Sequence, residues 1–242
     1  MKKAFTMLEL VFVIIIIGIL SVTISPNFQR DSLQEAANQL VSHIRYTQHL
    51  AMMDNKFDNN DATWFKERWQ LRFSRSMNSE NVWAYTIFSD SSNHDQGVNT
   101  GDIIARNPLY KGVLNASGRL KKGTGQYFSG GYSGVIVLTD ERRMKELALA
   151  KTYGVKWVTF SKSCSNYRPP SKNQSRKIIF DNLGRPYWGY KKDVGVIGKN
   201  PSDNMYIVHG QCIITLCTEE KCTHGDKISI GIEPETGYTH IL

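Results

Sequence analysis

The chain changes its hydrophobic rhythm twice. From Phe5 to Ile24, twenty residues follow one another with Glu9 as the one charge among them. Twenty residues make a helix of about 30 Å, the thickness of a bilayer's hydrocarbon, so the run predicts a transmembrane helix. Beyond Asp31 the apolar residues thin to Leu33, Ala36, Ala37, Leu40, Val41, Ile44, Ala51 and Met52. Their spacings of three and four predict an amphipathic continuation. Pro26 removes a backbone donor and bends such a rod, and Ser32-Leu33-Gln34-Glu35 has the composition of a capping box that restarts it. The whole rod, Phe5 to about Met53, would be roughly 70 Å long.

After Asn55 the period falls to two. Strands are expected at 69–73, 82–88, 135–138, 155–160, 177–180, 187–190, 205–209, 212–216, 227–232 and 238–241. Asp181-Asn182-Leu183-Gly184 and Pro234-Glu235-Thr236-Gly237 separate neighbouring strands and have turn compositions. A long helix followed by antiparallel hairpins gives an α+β class: a transmembrane helical rod carrying an antiparallel β-sheet head.

Glu9 needs an explanation, because a carboxylate at membrane depth is costly and ordinarily functional. The segment Ala4-Phe5-Thr6-Met7-Leu8-Glu9-Leu10 resembles the cleavage and methylation motif of type IV pilins and type II secretion pseudopilins. That resemblance implies that a membrane prepilin peptidase cuts between Ala4 and Phe5 and methylates the new amine of Phe5. It also implies that Glu9, fifth in the mature chain, pairs with the N-terminal amine of a neighbouring subunit during assembly. Where the family ordinarily has Gly before the cut, this chain has Ala4, whose small side chain fits the same pocket. The helix at 33–53, the segment 178–186 and the closing segment 228–238 are similar to the GspH/FimT-like minor-subunit branch, whereas 56–150 reads as an enlarged insertion.

The expected organisation is a leader at 1–4, a transmembrane helix at 5–25, an amphipathic half-helix at 26–54 and a globular domain at 55–242. Lys2 and Lys3 put the N-terminus in the cytoplasm by the positive-inside rule and the head in the periplasm of a double-membrane bacterium, the protein being anchored in the inner membrane. There the four cysteines are expected to be oxidised. Cys212 and Cys217, five apart on one strand, face opposite sides about 16 Å apart, too far to bridge. The polar loop 218–221 brings Cys217 opposite Cys222, which leaves Cys164 for Cys212. The alternative joins Cys164 to Cys217 and Cys212 to Cys222. Zinc bound by these cysteines with His224 is disfavoured, since no C-x₂-C pair occurs.

The loop 90–102 invites calcium, but an EF-hand frame places Ser, His, Gln, Val or Thr where acidic ligands belong. A non-EF site of Asp90, Asp95 and Asp102 stays open beside the reading of a solvated loop. Nothing resembles a nucleophile elbow, an HExxH helix or a phosphate loop, so no enzyme and no cofactor are expected.

Charge is uneven. Residues 111–199 carry eighteen Lys and Arg against five Asp and Glu, while 200–242 carry two against six. Arg142, Arg143, Arg176 and Lys177, interleaved with aromatics such as Tyr153, Trp157, Tyr187 and Trp188, have the chemistry of a DNA surface, or of a solvated face over core aromatics. The expected function is therefore a minor pseudopilin or minor pilin. Its partners would be prepilin peptidase, other subunits, and either a secreted protein or, in a competence pilus, DNA. A membrane-anchored periplasmic binding domain is the alternative that leaves Glu9 unexplained.

Overall fold

The computed structural model describes residues 7–24, 31–92, 97–131, 135–165, 174–190 and 205–242. The chain divides into two compact units, Met1–Ser32 and Leu33–Leu242. The first contains helix α1 (Met7–Ile24). The second contains nearly all of α2 (Ser32–Met53), the short α3 (Leu149–Tyr153) and, among the described residues, ten strands.

One long transmembrane rod is not what the chain forms. Among the described residues α1 covers Met7–Ile24 and α2 Ser32–Met53, and no helix is long and apolar enough to cross a membrane. Pro26 in the intervening sequence lacks the N–H a continuous helix would need and restricts the residue before it. The α+β class itself holds, with sheets that are antiparallel throughout.

The larger sheet has the order β3 (Ile103–Ile104), β2 (Trp83–Ser89), β1 (Trp69–Arg75), β5 (Gln174–Phe180), β6 (Pro186–Tyr190), β7 (Met205–Ile207). The smaller runs β10 (Thr239–Ile241), β9 (Lys227–Ile232), β8 (Cys212–Cys217), β4 (Trp157–Phe160). A single core joins α2 to both: Leu40 and Ile44 pack in one cluster with Leu71, Phe73 and Tyr85 of the large sheet and Ile214, Leu216 and Ile230 of the small one. Side chains alternate across a strand, so the other parity of the large sheet needs its own cover. Ala84 and Phe88 find it in Val98, Leu120, Tyr127 and Ile136 of the insertion, and Ile179 and Tyr187 in Phe65 and Met205. This second layer explains why β2 is buried at every position.

One expected strand does not form, and two short elements were not anticipated. The apolar run at 135–138 forms two bends, an isolated bridge at Val137 and a turn rather than a strand, Ile136 being spent on the second layer. β3 is too short for any periodic signal, and α3 follows Ala148 with no polar side chain capping its start.

Candidate functional site

α1 is built almost wholly from Val, Ile, Leu, Met and Phe, and every side chain from Met7 to Gly18 is exposed. Ile14 to Ile17 are β-branched, and the helix restricts their rotamers, so intrinsic propensity does not hold this segment in water. A helix apolar all round belongs inside a larger packing. Glu9 lies in its first turn, where the helix dipole favours an anion. Ala4 and Phe5 lie outside the described residues.

In the head, the three segments that carry the branch resemblance converge on one side chain. Gln48, on α2, donates from Nε2 to the carbonyl of Gly184 at 2.9 Å and to that of Thr236 at 2.7 Å. Asp181 shapes the first of these turns, its Oδ1 accepting from the backbone N–H of Leu183 and Arg185 and its Oδ2 from the Arg185 guanidinium at 2.7 Å. Gly237 shapes the second at φ +66°; a Cβ there would stand 2.4 Å from the Gly184 carbonyl oxygen. Both turns were legible as turns, whereas nothing in the sequence marks Gln48 as their tie.

Beneath α2, His43 Nδ1 and the Tyr85 hydroxyl are hydrogen-bonded at 2.7 Å, with the Phe128 ring edge-on to the imidazole. Burial lowers the His43 pKa from 6.5 to about 4 and raises that of Tyr85 well above its usual value. Both are neutral at physiological pH, and the pair fills the core. Tyr153 donates to Gln39, and its pKa is pushed up to about 12, by burial first and then by Glu35 and Glu146.

Along the exposed side of α2, Asn38, Val41, Ser42 and Arg45 form an open groove of about 390 Å³ with His240 and Ile241 of β10. Arg45 donates twice to the Thr239 carbonyl, at 3.2 and 2.7 Å, and lies over the Tyr238 ring. Tyr238 stacks in turn on His240. This cation and two rings form a rim that the chain's helical and strand periodicities do not connect.

The four cations with DNA-surface chemistry are drawn into the fold. The Arg142 guanidinium holds Asp140 through two bonds of 3.0 and 2.6 Å and donates to the Leu120 carbonyl. Burial works against ionisation of Asp140, but these bonds and the adjacent charge keep its carboxyl below the usual range, and the same bond raises the Arg142 pKa. Arg143 donates to the Leu138 carbonyl. Lys177 is buried on β5, and burial lowers the pKa of its neighbour Arg176. Of the interleaved aromatics, Tyr153 and Tyr187 are core, and Trp157 is covered by Arg75.

The structure contains two disulfides, Cys164–Cys212 and Cys217–Cys222, with Cα separations of 5.3 and 5.4 Å. Cys217 and Cys212 end the same strand on opposite faces, which is why each bridges outward. Disulfide sulfurs cannot serve as zinc thiolates, so the zinc reading with His224 is lost. Asp102 closes the 90–102 loop by accepting from the Ser92 hydroxyl and the backbone N–H of Ser92 and Asn99. Asp95 lies outside the described residues, and Asp90 is fully buried. Among the described residues no group of three or more His, Cys, Asp and Glu is arranged to hold a metal ion.

No family model, curated protein or solved structure matches the chain.

Proposed function

We propose that the protein is a minor subunit of a filament of the type IV pilin or type II secretion pseudopilin kind, joined to its neighbours through α1 and presenting its head to a partner. The observation that carries this reading is α1: an exposed, uniformly apolar helix with one carboxylate in its first turn. Each Ile or Leu removed from water contributes about 1.5–3 kcal/mol, and the equivalent helices of neighbouring subunits offer that burial. Packing α1 this way also desolvates Glu9, which then requires a cation; the amine freed by prepilin peptidase between Ala4 and Phe5 supplies one. The meeting of the three resembling segments at Gln48 supports a head of the GspH/FimT-like kind. Two disulfides suit an oxidising compartment such as the periplasm. A secreted protein or a companion subunit is the favoured partner of the head, because the cations suited to DNA are engaged or buried.

The test is Glu9→Val in the full chain, co-expressed with a prepilin peptidase and filament subunits. Cleavage is expected to persist while incorporation into sheared filaments is lost. Normal incorporation of the variant would overturn the pairing role of Glu9, and absence of cleavage in the native chain would overturn the family reading itself.

A further inference from the structure

A second region is exposed against its chemistry. Between Ile103 and Thr139 the chain has no Asp or Glu and five cations: Arg106, Lys111, Arg119, Lys121 and Lys122. Within the same stretch Leu109, Tyr110, Val113 and Leu114 are exposed by 86, 59, 53 and 42%. These residues sit on a braced lobe, 107–126, and not on a loose loop. Asn107 and Gln126 close its base through a backbone bond of 2.9 Å, the Lys121 N–H donates to the Val113 carbonyl, and the Asn115 N–H to the Arg119 carbonyl. Thr124 Oγ1 accepts from the Val113 N–H, and Asn115 Oδ1 from those of Ser117 and Arg119. Gly112, at φ +63°, lets the arms cross so closely that a Cβ would fall 2.4 Å from the Gly125 nitrogen. Leu120, buried in the second core layer, pins the lobe to the head.

We propose that this lobe is a membrane-surface binding element that lays its exposed apolar side chains, Leu109, Tyr110, Val113 and Leu114, into the interface of a bilayer rich in anionic phospholipid. Three features favour lipid over the other occupants of a basic apolar surface. Val113 and Leu114 are consecutive, and Leu114 is bridged to Leu120, so their side chains leave opposite sides of an extended arm. A finger that is apolar on two sides suits insertion, whereas a flat partner would cover one. Hydrogen bonds made inside the lobe give the backbone N–H groups of Tyr110, Val113, Asn115 and Lys121 partners of their own, which lowers the cost of bringing them to a bilayer interface. Lysines outnumber arginines in this stretch, and Lys is depleted at protein interfaces but attracted to anionic leaflets at about fivefold in affinity per cation.

The inference stands apart from the filament reading and is tested on the full chain. All four cysteines are in disulfides, so Val113→Cys supplies one thiol for an environment-sensitive dye. Emission at that position is the readout, because α1 could attach the chain to lipid by itself. Vesicles of phosphatidylcholine with phosphatidylglycerol are expected to shift the dye to the blue and, when brominated, to quench it; phosphatidylcholine alone is expected to do neither. Leu109→Asp should abolish the shift, and Lys111→Gln with Lys121→Gln should lower the inserted fraction about 30-fold. A dye at Ser42→Cys, exposed on α2, should stay in water. No shift with anionic vesicles overturns the proposal. So does an equal shift with polyglutamate or duplex DNA in place of vesicles, which would assign the lobe to an acidic protein or to nucleic acid. Filament incorporation, scored through Glu9, is independent of either result.

Discussion

α1 and α2 are near neighbours in sequence and similar in length, 18 and 22 residues, yet they solve opposite problems. α2 interrupts its apolar residues with Gln34, Glu35, Asn38, Ser42, Arg45 and His49, so one stripe is buried and the rest meets water. Its packing is settled inside the chain: Leu40, Ile44 and Ala51 are held by both sheets, and Gln48 by two turns. α1 has no polar face to leave outside, and its side chains from Met7 to Ile17 are exposed. The contrast teaches that α2 draws its stability from this chain, whereas α1, on the proposed filament reading, would draw its own from neighbouring subunits.

The largest expected effect breaks α2. Leu40→Asp places a carboxylate where Leu40 is wholly buried among apolar neighbours, and should cost more than about 5 kcal/mol, enough to leave the head unfolded in urea titrations at neutral pH. A folded Leu40→Asp head with an unchanged midpoint would mean that α2 does not belong to the core.

The bridges come next, because they brace the sheet that α2 packs against. Cys164–Cys212 closes 48 residues of separation and Cys217–Cys222 closes 5. Chain entropy assigns roughly 4 kcal/mol to the longer loop and about 2 to the shorter. Paired Cys→Ser variants compared by chemical denaturation should rank in that order. The reverse ranking would show that local strain at β8, rather than loop length, governs them.

These two sets of residues also show what the sequence carried. The buried stripe of α2, both turns and the disulfide pairing were legible, because each is a local matter of period, parity or loop length. The helical rod was overread: one transmembrane rod from Phe5 to about Met53 was expected, and the described residues hold α1 and α2, neither long and apolar enough to cross a membrane. The strand expected at 135–138 was misread because apolar residues recruited to cover the back of a sheet look like a strand in isolation. The site residues divide likewise. Glu9 stands out as a charge in an apolar run, while the bond from Arg142 to the Leu120 carbonyl and the burial of Lys177 are tertiary facts with no periodic signature.

A smaller effect follows from the one ionisable group on the buried stripe. The pKa of His43 is about 4 in the folded head against 6.5 unfolded, so the unfolded chain binds the extra proton between those values. Stability therefore rises with pH through that window, and what is present above pH 6.5 is lost as pH falls toward 4, on the order of 3 kcal/mol. His43→Leu should flatten this part of the pH–stability curve relative to the native chain. Identical slopes would mean that His43 is hydrated when folded.

The smallest effect on the head sharpens the comparison most. Ile44→Ala in α2 and Ile14→Ala in α1 delete the same atoms from helices of the same chain, Ile44 fully buried and Ile14 exposed by 60%. In α2 the deletion should cost 2–5 kcal/mol, through lost transfer energy and the cavity left behind. Ile14 is exposed, so its truncation should move the denaturation midpoint of the head by less than about 0.5 kcal/mol. If α1 is buried by neighbouring subunits, the missing energy reappears elsewhere, and filaments carrying Ile14→Ala should incorporate the subunit less and release it at lower detergent concentration. A variant that changes neither the head nor incorporation would remove the case that α1 is an assembly helix; one that destabilises the head as Ile44→Ala does would show that α1 packs on its own domain.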